Sequence, residues 1–344
     1  MKKVIVSIIL FLTYIGVKGQ ISTNEAPVSF KTNLPALKIN DNSFKLLPSL
    51  DMLTIEKEDE ENKAFGSFTR FGFRHEVSYN LANSGEWIEL PNGDRIWRLS
   101  LCCPEALSIN LLYDEFWLPD GAKFFIYSND LKHCIGAFTS INNKGTRNNM
   151  QGFATGLVYG DQVNLEYYLP NNVQETGIIS IAYVVHGYRY IALPESINGR
   201  NYVDPTECQV NVNCSPEGDE WQLEKNAVVL ILADGYGMCT GSLINNTEND
   251  FTPYILTANH CIKKHDAINN PNLTHWLFYW HYEAPGCIST FNPSHISTSG
   301  ATVISNNSIL DFVYFYLTKT HLMLREQSHI ILVGIVPAMQ EPEE

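Results

Sequence analysis

The chain has 344 residues, 44% of them hydrophobic, with 23 Lys and Arg against 37 Asp and Glu for a formal net charge of −14. Such a length holds about two domains, and such an apolar content fills real cores. An acidic chain without a basic block attracts neither nucleic acid nor an anionic membrane, and 12% aromatic against 17% charged residues excludes a disordered chain or a coiled coil.

Lys2 and Lys3 precede an apolar run from Val4 to Val17, and Val17-Lys18-Gly19 follows with residues slim enough for a signal peptidase. Residues 1–19 therefore read as a secretory signal, cut near Gly19–Gln20. About 14 apolar residues fall short of the roughly 20 that cross a bilayer. No later segment is long and apolar enough to span, so a secreted protein with permitted disulfides is expected. Residues 20–64 read as an N-terminal segment or linker, ending in the acidic run Glu56–Glu61 (EKEDEE), most simply a solvated stretch.

From about residue 65 to 200, short runs rich in β-branched and aromatic residues alternate with turn signals. The runs include Arg95–Leu101 (RIWRLSL), Ala122–Ser128 (AKFFIYS) and Gln162–Leu169 (QVNLEYYL). The turns include Pro91-Asn92-Gly93-Asp94 and Pro119-Asp120-Gly121. This spacing predicts an antiparallel β-sandwich or barrel. The polar stretch Glu195–Thr206 (ESINGRNYVDPT) reads as an exposed connector, and a second β-rich block starts near Cys208. The fold class is thus all-β in two blocks.

Eight cysteines divide as Cys102, Cys103 and Cys134 in the first block and Cys208, Cys214, Cys239, Cys261 and Cys287 in the second. Both counts are odd, so each block leaves a thiol over or pairs it elsewhere. No CxxC or HxxxH spacing occurs, which argues against zinc, and no metal or cofactor is expected.

The informative stretch is Met238–Cys261 (MCTGSLINNTENDFTPYILTANHC), two β-like segments around a polar turn that end in His260-Cys261. It resembles the first barrel of the trypsin-like serine proteases, with their Cys-x-Gly-Ser-Leu-Ile strand and Leu-Thr-Ala-x-His-Cys motif. The closer resemblance is to the bacterial lysyl endopeptidase branch, through Cys208–Cys214 (CQVNVNC), Pro216-Glu217-Gly218-Asp219 and Gly241–Thr247 (GSLINNT). In the first block, Asp114–Tyr127 (DEFWLPDGAKFFIY), Phe138-Thr139, Phe153–Asp161 and His186-Gly187-Tyr188-Arg189 resemble that branch's propeptide. Residues 65–200 are then expected to be a propeptide-like sandwich packing on the peptidase domain, and 206–317 the first barrel of a double-barrel fold.

A hydroxyl nucleophile needs a neutral imidazole to take its proton, and that imidazole needs a buried carboxylate to fix its tautomer. The resemblance implies His260 as the general base. Asp311 is the matching carboxylate, lying before a short apolar strand in Ser299–Leu317 (SGATVISNNSILDFVYFYL); its bland reading is a turn cap after Asn306-Asn307-Ser308. The resemblance also implies the disulfides Cys239–Cys261 and Cys214–Cys287, and leaves Cys208 unpaired.

The family's nucleophile lies in a Gly-Asp-Ser-Gly segment of the second barrel, and no such segment occurs in this sequence. Ser242 is no substitute, because it matches a structural strand of the first barrel. The residues after Asp311 are too few for a second barrel, which is expected to be missing together with the oxyanion hole and substrate pocket. Thr318–Glu344 loses the family pattern abruptly. Read one nucleotide earlier with suitable codons, Ser328–Glu344 becomes PYYSGWDRTSNAGAGG, and relatives carry a Tyr-Tyr-x-Gly-Trp-Asp-Arg segment there. An aberrant tail from a frameshift near Thr318 is the resulting expectation.

A secreted serine endopeptidase precursor, inactive as this chain, is the leading reading, with protein or peptide substrates in intact relatives. A cut is expected near Arg200–Thr206. A secreted binding or protease-inhibitory protein is the second class. Trp87, Trp97 and Trp117 suggest a carbohydrate-binding sandwich, although tryptophans in such strands are more often core residues. A barrel without its partner is expected to expose apolar surface unless the first block covers it.

Overall fold

The computed structural model describes residues 25–31, 41–64, 68–191, 210–248, 250, 252–262, 272–287, 293 and 295–317. The signal-like residues 1–19, the connector Arg200–Thr206, Cys208 and the tail 318–344 lie outside the described residues.

The first block is a two-sheet sandwich. In Gln162–Leu169, Val163, Leu165, Tyr167 and Leu169 alternate inward, and this strand pairs antiparallel with both Arg95–Cys102 and Lys123–Ser128. Cys134–Phe138 extends that sheet at one side, and Phe44–Leu46 and Glu86–Glu89 extend it at the other. The opposing sheet runs Phe153–Ala154, Ser108–Trp117, Ile178–Gly187 and Gly72–Asn80, with Val158–Tyr159 also pairing to Ser108–Trp117. Trp97, Leu99, Phe124, Val163 and Leu165 of one sheet meet Leu111, Tyr113, Phe116 and Ile181 of the other in a single core. Trp97 is fully buried, its indole N–H donating to the Ser84 carbonyl, and Trp87 packs on the same core; neither is a sugar platform.

The second block closes on itself. Val228–Ala233 pairs with Gly237–Ile244 on one side and Asn272–Trp280 on the other. The circuit is completed by Ile296–Asn307, Phe312–Leu317 and Tyr254–Thr257, giving a six-stranded barrel. Val229, Ile231, Leu243, Ile255, Trp276, Phe278, Val313 and Phe315 fill it. Gly241 of the GSLI run is dictated by this interior: a Cβ there would come within 2.9 Å of Ile255 Cγ2 and 3.0 Å of Ile231 Cδ1. The molecule is all-β, a sandwich followed by a barrel.

The two blocks share surface. Thr69–Arg70 adds to the barrel sheet against Gly237–Met238. Phe68, Phe71, Leu112, Leu157 and Val185 from the first block form one cluster with Leu232, Tyr236, Leu277 and Tyr279 from the second. The Phe68 ring lies over Gly237, where a Cβ would collide with it at 2.1 Å. Polar contacts cross the same junction: Leu157 N–H donates to Tyr279 Oη at 3.0 Å, Asn110 Nδ2 to the Gly235 carbonyl at 3.1 Å, and Lys144 Nζ to the Thr274 carbonyl at 3.0 Å.

Two expectations need correction. The acidic run is not a solvated linker but part of the α-helix Met52–Ala64. Its inward residues Met52, Ile55, Glu56 and Asp59 recur at helical spacing, and Asp59 reaches Arg70 and Arg189. The first block also begins before residue 65, because Phe44–Leu46 pairs in parallel with Ser100–Cys102. Among the described residues no helix is long and apolar enough to cross a membrane.

Candidate active site

His260 and Asp311 meet at the rim of the barrel. The strand Tyr254–Thr257 ends in a tight 3-10 turn, Asn259–Ile262, which presents the imidazole. Cys261 is bonded to Cys239 on the strand Gly237–Ile244, and the Thr257 hydroxyl donates to the Thr240 carbonyl at 2.7 Å. The turn is therefore fastened to its neighbouring strand on both sides of His260.

Asp311 arrives from the other direction. The turn before the strand Phe312–Leu317 is shaped by Asn307, whose side-chain oxygen accepts from the backbone N–H groups of Ile309 and Leu310 at 2.9 and 2.8 Å. Asp311 itself has φ +48°, a left-handed conformation that Asp tolerates better than most residues. Its carboxylate then straddles His260. Oδ2 lies 2.8 Å from the ring Nδ1 and Oδ1 accepts the His260 backbone N–H at 2.9 Å.

The chemistry follows from the acceptor. An ionised carboxylate can only accept, so the bond to Nδ1 places the ring proton there and leaves the Nε2 lone pair outward as a proton acceptor. Among the described residues no hydrogen bond falls on Nε2. Ser242, exposed in the barrel strand between Val228 and Leu256, makes none with it. One expectation is corrected here: the orienting carboxylate is not buried. The Asp311 side chain is 51% exposed and that of His260 39%, with Ile309 and Leu310 beside it 91% and 72% exposed. Among the described residues, the apolar cluster and strand pairing through which the first block docks involve other barrel elements.

Sequence reading missed one supporting pair. Asn306 Nδ2 donates to Asn259 Oδ1 at 2.7 Å, joining the residue before His260 to the strand that leads into the Asp311 turn. The Asn in the Ala-Asn-His-Cys motif was the available signal. The other disulfide, Cys214–Cys287, ties the segment ahead of the barrel to the loop after Asn272–Trp280. Cys239, Cys261 and His260 also cluster closely, but both sulfurs are consumed in the disulfide.

Residues 203–332 match the family model described as lysyl endopeptidase, C-terminal domain. Over 255 residues the chain is 25% identical to the lysyl endopeptidase of Pseudomonas aeruginosa, which covers 68% of this chain and 52% of that protein. The chain thus spans about half the length of the curated relative it matches. A closed six-stranded barrel with a His–Asp pair at its rim thus coincides, in the second block, with a stretch similar to the lysyl endopeptidase C-terminal domain.

Proposed function

We propose that this chain is the precursor-type portion of an exported serine endopeptidase, with His260 as general base and Asp311 as its orienter, acting on proteins or peptides. One observation carries the reading: a carboxylate fixing Nδ1 while Nε2 points outward, the arrangement a hydroxyl nucleophile requires. The two disulfides and the lack of a membrane-crossing helix among the described residues fit an extracellular protein.

No Gly-Asp-Ser-Gly segment occurs in residues 1–344. On our reading this polypeptide by itself therefore neither forms an acyl-enzyme nor turns over peptides. The sandwich acts in the same chain as a propeptide-type chaperone and inhibitor, a role supported by the apolar cluster and hydrogen bonds it shares with the barrel. The same contacts lend weight to the second reading, a protease-binding protein; capture of an intact homologous protease by the purified chain would favour that one.

The test is a fluorophosphonate reagent, which labels activated serines, combined with a peptidase assay. The purified chain is expected to stay unlabelled and without turnover; a labelled serine overturns the claim of inactivity. Joined to the Gly-Asp-Ser-Gly barrel of a lysyl endopeptidase relative, the chain is expected to become reactive. His260→Ala should then remove roughly 10⁴-fold or more of that activity. A folded chimera that never reacts, or one indifferent to His260→Ala, refutes the peptidase reading.

A further inference from the structure

A second cluster of chemically capable side chains lies inside the sandwich. His75 stands on Gly72–Asn80 and His186 on the adjacent strand Ile178–Gly187; the register pairs Val184 with His75 and Phe73 with His186. The two imidazoles are therefore diagonal neighbours on one face, with ring centroids 5.9 Å apart. Cys103 follows the strand Arg95–Cys102 of the opposite sheet and brings its thiol against them. Donor atoms of all three residues lie within 4.8 Å of one another. His75 is 8%, Cys103 0% and His186 2% exposed.

Their hydrogen bonding sets them apart from ordinary core histidines. His75 Nε2 and His186 Nδ1 are buried without a hydrogen-bond partner, and Cys103 is a free thiol. Buried imidazole nitrogens are normally satisfied. Two histidines that each carry an unpartnered buried nitrogen, with donor atoms within 4.8 Å of a buried free thiol, have the composition of a ligand set.

We propose that His75 Nε2, His186 Nδ1 and Cys103 Sγ bind one soft d¹⁰ metal ion, Cu(I) in preference to Zn(II). The donor set is one thiolate and two imidazoles with no carboxylate in the cluster, which disfavours hard ions such as Ca²⁺ or Mg²⁺. Binding exchanges the Cys103 S–H bond for a metal–sulfur bond and releases one proton to solvent; no electron moves. Charge then separates the candidates. One thiolate neutralises Cu(I) completely, whereas Zn(II) keeps a positive charge in an apolar interior and calls for a fourth ligand. With bonds of about 2.0–2.3 Å, a trigonal ion holds donors roughly 3.5–4 Å apart, so small rotations of these side chains complete the site. Sequence spacing concealed the cluster, because its members are far apart in the chain and meet only when the sheets pack.

The test uses the full chain with its two disulfides intact, loaded anaerobically with Cu(I) or, separately, Zn(II), then desalted and counted by mass spectrometry of the metal. One Cu(I) per chain is expected, held more tightly than Zn(II), with X-ray absorption showing one sulfur and two nitrogen neighbours. Cys103→Ser and His186→Gln should each cut occupancy at least tenfold, while Cys102→Ser and Cys134→Ser should retain it. If Cys103→Ser fails to fold, the absorption spectrum of the unsubstituted chain still decides the ligands. Absence of a stoichiometric ion, full occupancy in folded Cys103→Ser, or a spectrum without sulfur overturns the site. Tighter binding of Zn(II) overturns the preference for Cu(I).

Discussion

Asp311 holds His260 at two points, through Nδ1 at 2.8 Å and through the backbone N–H at 2.9 Å, so one carboxylate fixes both the ring's tautomer and the turn that carries it. Replacing it by Asn separates these functions. An Asn side chain can still accept the backbone N–H but can present an N–H rather than an acceptor to the ring. Asp311→Asn is therefore expected to move the ring proton from Nδ1 to Nε2, as nitrogen chemical shifts of His260 will show, while the melting profile changes little. An unchanged tautomer would remove Asp311 from the role of orienter.

The disulfide beside the dyad makes a separable contribution. Cys239–Cys261 spans a sequence separation of 22, for which chain entropy gives roughly 3 kcal/mol of stabilisation. Cys214–Cys287 spans 73 and gives about 4 kcal/mol on the same basis. Cys239→Ala with Cys261→Ala should lower barrel stability by about the first amount in denaturant titrations. It should also broaden the His260 ring signals, because the turn loses its anchor. Removing the distant Cys214–Cys287 bridge should destabilise without that broadening.

The barrel was legible through the resemblance to the first barrel of the trypsin-like proteases, because the motifs that carry it are local. The CTGSLI strand, the Leu-Thr-Ala-Asn-His-Cys turn and the apolar strand after Asp311 each span a few residues whose alternation matches the observed burial, as in Val313, Phe315 and Leu317. The helix Met52–Ala64 was not legible, because its apolar side is nearly bare and its hold on the protein is ionic, through Asp59 to arginines far along the chain. The His75–Cys103–His186 cluster was invisible for a related reason: strand pairing assembles it, not spacing. The exposed state of Asp311 escaped the motif, which specifies a carboxylate but says nothing of what covers it.

Exposure at that rim has a measurable consequence. Ile309 and Leu310 stand 91% and 72% exposed beside the dyad, and Ile304 nearby on the preceding strand is 46% exposed. Exposed apolar side chains in one region favour self-association. Ile309→Ser with Leu310→Ser is expected to raise the concentration at which the chain begins to aggregate, by light scattering, without lowering its thermal midpoint. Equal aggregation in both chains would place the sticky surface elsewhere.

The junction between sandwich and barrel should weaken in acid. His275 Nε2–H donates to the Tyr113 carbonyl at 2.8 Å, while His295 stacks on Tyr279 and His133 on Tyr159. Burial is the main influence holding all three below the ordinary histidine range. For His275 the Tyr113 carbonyl and Asp234 oppose it while Lys144 and Arg74 reinforce it; for His133 a charge on His295 reinforces it and Asp130 opposes it. A folded value below the unfolded value of about 6.5 means that the unfolded chain binds protons first. Stability is thus complete above about pH 6.5 and declines as pH falls through the lower folded values. Hydrogen exchange at the Leu157 amide, which donates to Tyr279 Oη, should accelerate relative to its intrinsic rate between pH 7.5 and 5. Unchanged protection across that range would contradict this.

Asp59 is the residue whose loss should cost most at the same junction. Its side chain is 8% exposed; Oδ1 accepts from Arg70 Nε at 2.5 Å, and Oδ2 meets Tyr188 Oη at 2.8 Å and Arg189 Nη2 at 2.9 Å. Burial works against the charge on Arg70, but Asp59, Tyr188 and Glu58 outweigh it and raise its pKa. Without Asp59, the guanidinium groups of Arg70 and Arg189 face each other with their shared anion gone. Asp59→Ala is therefore expected to destabilise by about 3 kcal/mol or more, the range found when one member of a buried ion pair is removed. Asp59→Leu combined with Arg70→Met and Arg189→Met should recover much of that loss, because the desolvation penalty of all three charges disappears with them. Since Arg70 lies on the short strand that pairs with Gly237–Met238, the single variant should also loosen the sandwich from the barrel, seen as faster proteolysis between the two at a denaturant concentration where the parent resists. Equal stability of parent and Asp59→Ala would reduce the helix to a surface appendage.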